Sequence, residues 1–110
     1  MASANYWQRG ETLDYLNTGS TKIEAGEVVV IGSRIGVAGT DIPAGALGSV
    51  YVEGVYAFPK GSDAITLGAN VTYDAENEVM AAAEDGDDIN GFAVEAAGAS
   101  DSTVKVKINA

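Results

Sequence analysis

Apolar residues in this chain come in short pieces. The longest unbroken apolar run, residues 79–83, is five residues long. A membrane-spanning helix needs ~20, so no segment spans a bilayer in that way. Glycine separates the pieces: 14 of 110 residues are Gly, against four Leu, and the usual Gly share is only ~7%. The apolar residues themselves are mostly β-branched, with 19 Val and Ile together. Such side chains pack well on pleated, half-buried surfaces, whereas Leu suits helices. Short β-branched segments divided by turn residues are the signature of an all-β sandwich or barrel. At 110 residues, one domain is expected.

The segments can be placed individually. Residues 12–16 alternate Leu13 and Tyr15 against Thr12, Asp14 and Leu16, and residues 17–20 form a turn cluster. Residues 28–31 read Val-Val-Val-Ile, a continuous run that fits a strand covered on both sides. Gly32-Ser33 then predicts a two-residue hairpin into residues 34–38. Residues 49–58 alternate as one strand, with Gly54 marking a bulge or sharp bend. Val50, Val52, Tyr56 and Phe58 fall on one of its sides. Residues 103–108 give the cleanest alternation, with Val104, Val106 and Ile108 facing a core and Lys105 and Lys107 facing water. Residues 70–73 and 78–80 read as a hairpin. Ala81, Ala82, Ala83 and the glutamates around them suit one short helix over residues 75–85 instead. The expectation is therefore a small antiparallel β-sandwich or barrel of about seven to nine short strands, with that one helix as the alternative. Residues 1–10 are read as an extended arm and residues 11–110 as a single β domain.

Three segments share a form: Ile23-Glu-Ala-Gly26, Ile42-Pro-Ala-Gly45 and Ile65-Thr-Leu-Gly68. Each predicts a tight turn that needs the positive φ of glycine and delivers the chain into a strand. Their spacing is too uneven for a solenoid.

Charge and missing residue types exclude several kinds of chemistry. The chain has 16 acids, six bases and a net charge of −10. Duplex binders neutralise phosphates with clustered bases, and here Arg9, Lys22, Arg34, Lys60, Lys105 and Lys107 are scattered, so no nucleic-acid partner is expected. There is no Cys and no His, which removes the disulfide, the thiolate ligand and the usual general base. No phosphate-loop motif or Gly-x-Ser-x-Gly elbow is present. Asp85, Asp87, Asp88 and Asn90 invite a calcium reading, but a calcium loop counted from Asp85 needs Gly where Asn90 stands. The seven acids between Asp74 and Asp88 read as a solvated acidic face. No metal, no cofactor and no enzymatic activity is expected. Residues 1–10 lack a basic start followed by an apolar stretch, so no signal peptide is expected there.

Taken in order, the strings resemble the small head decoration, or capsid cement, proteins of tailed bacteriophages. The resemblance is carried by Asn5-Tyr6, Gly10-Glu-Thr-Leu-Asp-Tyr15, Ile23-Glu-Ala-Gly-Glu-Val-Val-Val30 and Ile35-Gly-Val-Ala38. It continues through Thr40-Asp-Ile-Pro-Ala-Gly45, Val52-Glu-Gly-Val55, Phe58-Pro-Lys60 and Val71-Thr-Tyr-Asp74. Gly91-Phe-Ala-Val-Glu-Ala96 and Val104-Lys-Val-Lys107 complete it. The resemblance implies a β-rich structural virion protein on the outside of the phage head, made in the host cytoplasm. Its implied partners are the major capsid protein and itself, as a homotrimer. Members of the group also carry the label of predicted phage recombinase, which these residues do not support, since ATP-driven strand exchange needs a phosphate loop. A carbohydrate- or host-surface-binding β module is the competing reading. Asn5, Tyr6, Trp7 and Arg9 are the candidate partner contacts, because exposed aromatics and Arg dominate binding hot spots. Trp7 plugging its own core is the alternative.

Overall fold

The glycine-separated segments become nine strands in a computed structural model that describes residues 2–110. In chain order they are β1 (Thr12–Leu16), β2 (Val28–Ile31), β3 (Arg34–Ala38), β4 (Leu47–Tyr51) and β5 (Val55–Pro59), followed by β6 (Asn70–Asp74), β7 (Val79–Ala82), β8 (Gly91–Ala93) and β9 (Thr103–Ile108). They form two antiparallel sheets, one of four strands in the order β1-β4-β3-β2 and one of five in the order β5-β9-β8-β6-β7. The five-stranded sheet curls until its outer strands meet, where Lys60, just past β5, bridges Met80 of β7. The fold is all-β and sandwich-like, as the composition predicts.

The two sheets overlap only in part. The radius of gyration is 15.0 Å and the extents are 42 × 41 × 23 Å, flatter than a compact chain of this size with a radius of ~13 Å. Two cores result. The larger fills the five-stranded sheet with Phe58, Val71, Met80, Val104, Val106 and Ile108, and takes Ile35 and Val37 from β3. The smaller holds Val29, Ile42 and Val50, with Tyr15, Ile23 and Val52 packed against it.

The expected hairpin forms and its helical alternative falls away, and one expectation needs correction. No helix forms among the described residues. In place of a helix over 75–85, β7 pairs with β6 in the register Tyr73↔Met80, and Met80 is fully buried. The Asp74 carboxylate closes the intervening turn, accepting the Glu76 and Asn77 N–H groups at 3.1 and 3.2 Å and the Asn77 side-chain amide at 2.7 Å. Glu78 has φ 56°, which no helix tolerates. Cross-strand burial thus overrides the local helix preference of Ala and Glu. Residues 49–58, however, are not one strand. Gly54, at φ 119°, turns the chain out of the four-stranded sheet and into the five-stranded one. Val50 and Val52 therefore join the small core, while Phe58 joins the large one, with Tyr56 packed against it.

The repeated turn is formed as the sequence predicts. Gly26, Gly45 and Gly68 have φ of 91°, 79° and 82°, at the position of a type II turn that demands a positive value. In each, the next residue's N–H returns to the carbonyl three residues back: Glu27 to Glu24, Ala46 to Pro43 and Ala69 to Thr66. The first two turns are joined by a bridge between Ile23 and Ile42, and the third meets Ala97 through Ile65.

Asparagine amides join the sheets. β3 pairs with β4 only at Val37 and Ala38, which leaves the Ile35 peptide without a strand partner on that side. Asn109, just past β9, supplies one. Its Oδ1 accepts the Ile35 N–H at 3.2 Å, and its Nδ2 donates to the carbonyls of Ile35 at 2.7 Å and Val52 at 2.9 Å. Asn90 accepts the Tyr73 N–H at 2.8 Å and donates to the Ser33 carbonyl at 3.1 Å. Asn109 has φ 58°, so Asn109→Gly keeps the backbone conformation and removes only the amide. We expect that variant to lose about 2 kcal/mol, because part-buried groups left unsatisfied cost ~1–3 kcal/mol each. A urea midpoint equal to the parent's would show that the bridge carries no stability.

Candidate partner-contact surface

The sequence-predicted contact residues lie together on one segment. Residues 2–10 adopt no regular secondary structure and lead directly into β1, an edge strand of the four-stranded sheet. Trp7 is 89% exposed and Tyr6 82%, so Trp7 does not plug the core of its own chain. Arg9 pairs with Glu11 at 3.1 Å, and the Gln8 amide donates to the Thr12 carbonyl at 3.3 Å. Asn5 is exposed beside them. Burying a large ring is worth most where a partner completes its pocket, and an aromatic pair left in water is a marker of such a contact.

Further apolar surface, which the sequence reading did not single out, lies on the body. The cross-strand pair Leu16↔Leu47 is 49% and 67% exposed, and Tyr51, on the same face of β4, is 43% exposed. Register gives the reason. On that face Val28, Ile35 and Val37 pack with the five-stranded sheet, whereas Leu16 and Leu47, and Val30 at the far end of β2, do not. Alternation revealed which residues share a face but not how far the other sheet extends over it.

The acids have local work in the turns. The Glu27, Asp87 and Asp101 carboxylates accept the N–H groups of Glu24, Glu84 and Gly98 at 2.9, 2.9 and 2.8 Å, each closing its own turn from three residues on. Asn90, the last member of the suspected calcium string, is committed to Tyr73 and Ser33. Among the bases, Lys22 lies 3.8 Å from Asp41 and Lys105 2.8 Å from Glu95. The hydrogen bond and charge of Glu95 hold the Lys105 ammonium above its usual range. Lys60 is buried and donates to the Gly61 carbonyl at 2.8 Å. The remaining acids are solvated. Exposed aromatic and aliphatic groups thus lie within a strongly negative field, in which Glu27, Asp74, Asp87 and Asp101 serve as turn locks.

A family model described as phage cement protein matches residues 7–108. The chain belongs to that family. No curated protein and no solved structure matches it. Membership gives this cement protein a structural, capsid-associated role on the exterior of the virion and points away from catalysis. The matched span takes in all nine strands and begins at Trp7, so Trp7 and Arg9 fall inside it and Asn5 and Tyr6 just before it.

Two measurements follow from the charge. The Asn77 side chain, the Asn77 N–H and the Glu76 N–H hold the Asp74 carboxyl below its usual range. A depressed folded pKa contributes stability above the unfolded carboxylate range and loses it as pH falls through the folded value. Asp74→Ala should therefore lower the melting temperature at neutral pH, with the difference from the parent closing as the pH falls through that value. A difference that widens on acidification would contradict the turn-lock role. Self-repulsion at net −10 is screened by salt, so moderate sodium chloride should raise the melting temperature of the parent. A fall would show that attraction between charges dominates.

Proposed function

We propose that this cement protein binds the outside of the expanded phage capsid as a homotrimer and stabilises the shell without catalysis. Its amino-terminal arm is the contact segment, with Asn5, Tyr6, Trp7 and Arg9 making the contacts. The observation that carries the reading is the exposure of Tyr6 at 82% and Trp7 at 89%, on an arm in a chain of this family.

The physical logic needs no reaction. A ligand that binds only the expanded shell stabilises it by mass action. Three copies held together bind with avidity, since one engaged copy raises the effective concentration of the others. A rigid β domain supplies the body, and net charge far from zero keeps it soluble until it docks. Ordering an arm costs about 1–2 kcal/mol of backbone entropy per residue. The contact must return more than that, which is what a buried indole beside a guanidinium provides. The major capsid protein is the partner on the shell, and neither nucleic acid nor membrane enters the reading.

Trp7→Ala should weaken binding to expanded heads by about 2 kcal/mol, or roughly thirtyfold, while leaving the melting temperature of the isolated protein unchanged. Co-sedimentation with heads and a thermal melt of the free protein read the two effects separately. A variant that unfolds, with its surviving protein binding heads normally, would place Trp7 in the core and defeat the arm reading.

A further inference from the structure

The two sheets are built to one plan. In chain order β1, β2, β3 and β4 match β5, β6, β8 and β9, and both sheets arrange the matching strands in the same order. The registers coincide. Val28 pairs with Val37 and Val29 with Gly36, as Asn70 pairs with Phe92 and Val71 with Gly91. Ala38 pairs with Val50 as Ala93 pairs with Val106, and Thr12 pairs with Tyr51 as Val55 pairs with Lys107. The bridge between Ile23 and Ile42 has its counterpart between Ile65 and Ala97. Even the close approach recurs: a Cβ on Gly36 would crowd the Tyr51 carbonyl, and one on Gly91 the matching Lys107 carbonyl.

One strand breaks the correspondence. Among the described residues β7 has no counterpart in the first half. It lies between β6 and β8, where the first half has only the Gly32-Ser33 turn between β2 and β3. β7 takes the outer edge of β6, with Thr72 opposite Ala81 and Tyr73 opposite Met80, and the Ala83 N–H donates to the Asn70 carbonyl at 2.9 Å. The same edge of β2 ends its sheet. Backbone groups in an antiparallel pair point alternately toward the partner and away from it. The Ala38 N–H donates to the Glu27 carbonyl at 2.9 Å, so Val29 and Ile31 also face β3. Val28 and Val30, which match Asn70 and Thr72, therefore hold their N–H and C=O groups outward. Val30 is 49% exposed, and β2 contains no Lys or Pro of the kind that blunts a free edge.

Charge selects what can pair there. Burial, then Glu78, Asp74 and Glu27, push the Tyr73 phenol above its usual range, so acids from both sheets gather near the start of β2. Toward its other end, Asp87 and Asp88 line a hollow with Val30 and Arg34. Five acids thus surround the edge against one base. A second copy would bring further acids to it: β1, the other end of this sheet, carries Asp14 and follows Glu11. A cationic segment meets attraction instead.

We propose that the outer edge of β2 accepts an extended, lysine- or arginine-bearing segment of the shell protein as a further antiparallel strand, in the place that β7 takes on β6. The inference rests on the reading of the chain as a capsid binder and adds a contact separate from the arm. Main-chain hydrogen bonds supply affinity in such strand addition, and alternate side chains supply specificity. An apolar residue opposite Ile31 would stand where Met80 stands opposite Tyr73.

Val30→Pro removes one outward N–H, and proline is tolerated on an edge strand whose N–H faces away from its sheet. Its melting temperature should match the parent's, while binding to expanded heads should fall about tenfold or more. Asp88→Lys, at an exposed acid, should also weaken head binding. Hydrogen exchange on the parent needs no variant: the Val28 and Val30 amides should be slowed on heads relative to the free protein. A parent that binds heads with both amides exchanging as they do when free would overturn this inference and leave the cement function standing. So would a folded Val30→Pro protein that binds normally, or Asp88→Lys binding that is unchanged or tighter. Protection that appears in concentrated free protein and is lost on dilution would make a second copy the occupant, and also overturns it. A parent that does not bind heads defeats the cement function itself.

Discussion

Strand β3 is covered on both faces, and the two halves of the molecule are joined through it. Ile35 and Val37 point into the core of the five-stranded sheet, while Gly36 and Ala38 face the small core of the four-stranded one. The inner face is tight. A Cβ on Gly36 would stand 3.1 Å from the Ile31 side chain and 3.2 Å from the Tyr51 carbonyl. A strand in this position needs large residues on one face and nearly none on the other, which the string Arg-Ile-Gly-Val-Ala supplies. Because β4 pairs with only its last two residues, its other end depends on side-chain amides. Asn109 bonds to both peptide groups of Ile35 as a neighbouring strand would, and Asn90 anchors the β2–β3 turn through Ser33. Both asparagines belong to the five-stranded half, so these bonds also fix how the two halves meet.

The second organising device is the closed turn. A β domain of short strands needs many reversals, and each leaves backbone groups to satisfy. Here glycine at positive φ sets the turn, and in several turns a carboxylate takes the free N–H at its entrance. This gives Glu27, Asp74, Asp87 and Asp101 a structural role in their own turns. The resulting charge is compatible with a rigid body whose adhesion comes from apolar and aromatic groups. It also makes the arm distinctive, since a single arginine stands out against sixteen acids.

For a cement protein these properties work together. The two cores and the amide bridges hold the body together, charge far from zero opposes self-association, and the fold leaves uncovered the side chains that the proposed contact would use. On the face carrying Ile35 and Val37 the five-stranded sheet covers β3, while Leu16, Leu47 and Val30 stay 49% exposed or more.

Much of this was legible in the residues. Alternation placed β1, β3, β6 and β9, the Gly-Ser pair placed the β2–β3 hairpin, and the three Ile-x-x-Gly strings gave turns with the φ they require. These are local properties, fixed by steric preference within a few residues. The order of the strings also pointed to the family that the matching model establishes. The sequence by itself left Trp7 between core and surface, ran β4 and β5 together as one strand and kept a helix in play over 75–85. It gave no sign that Asn90 and Asn109 serve as inter-sheet connectors. Those outcomes depend on contacts between residues far apart in the chain: which sheet receives the strand after Gly54, how far one sheet covers the other, and which peptide groups are left without a strand partner. Periodicity tells which residues share a face. The tertiary structure decides what, if anything, covers that face.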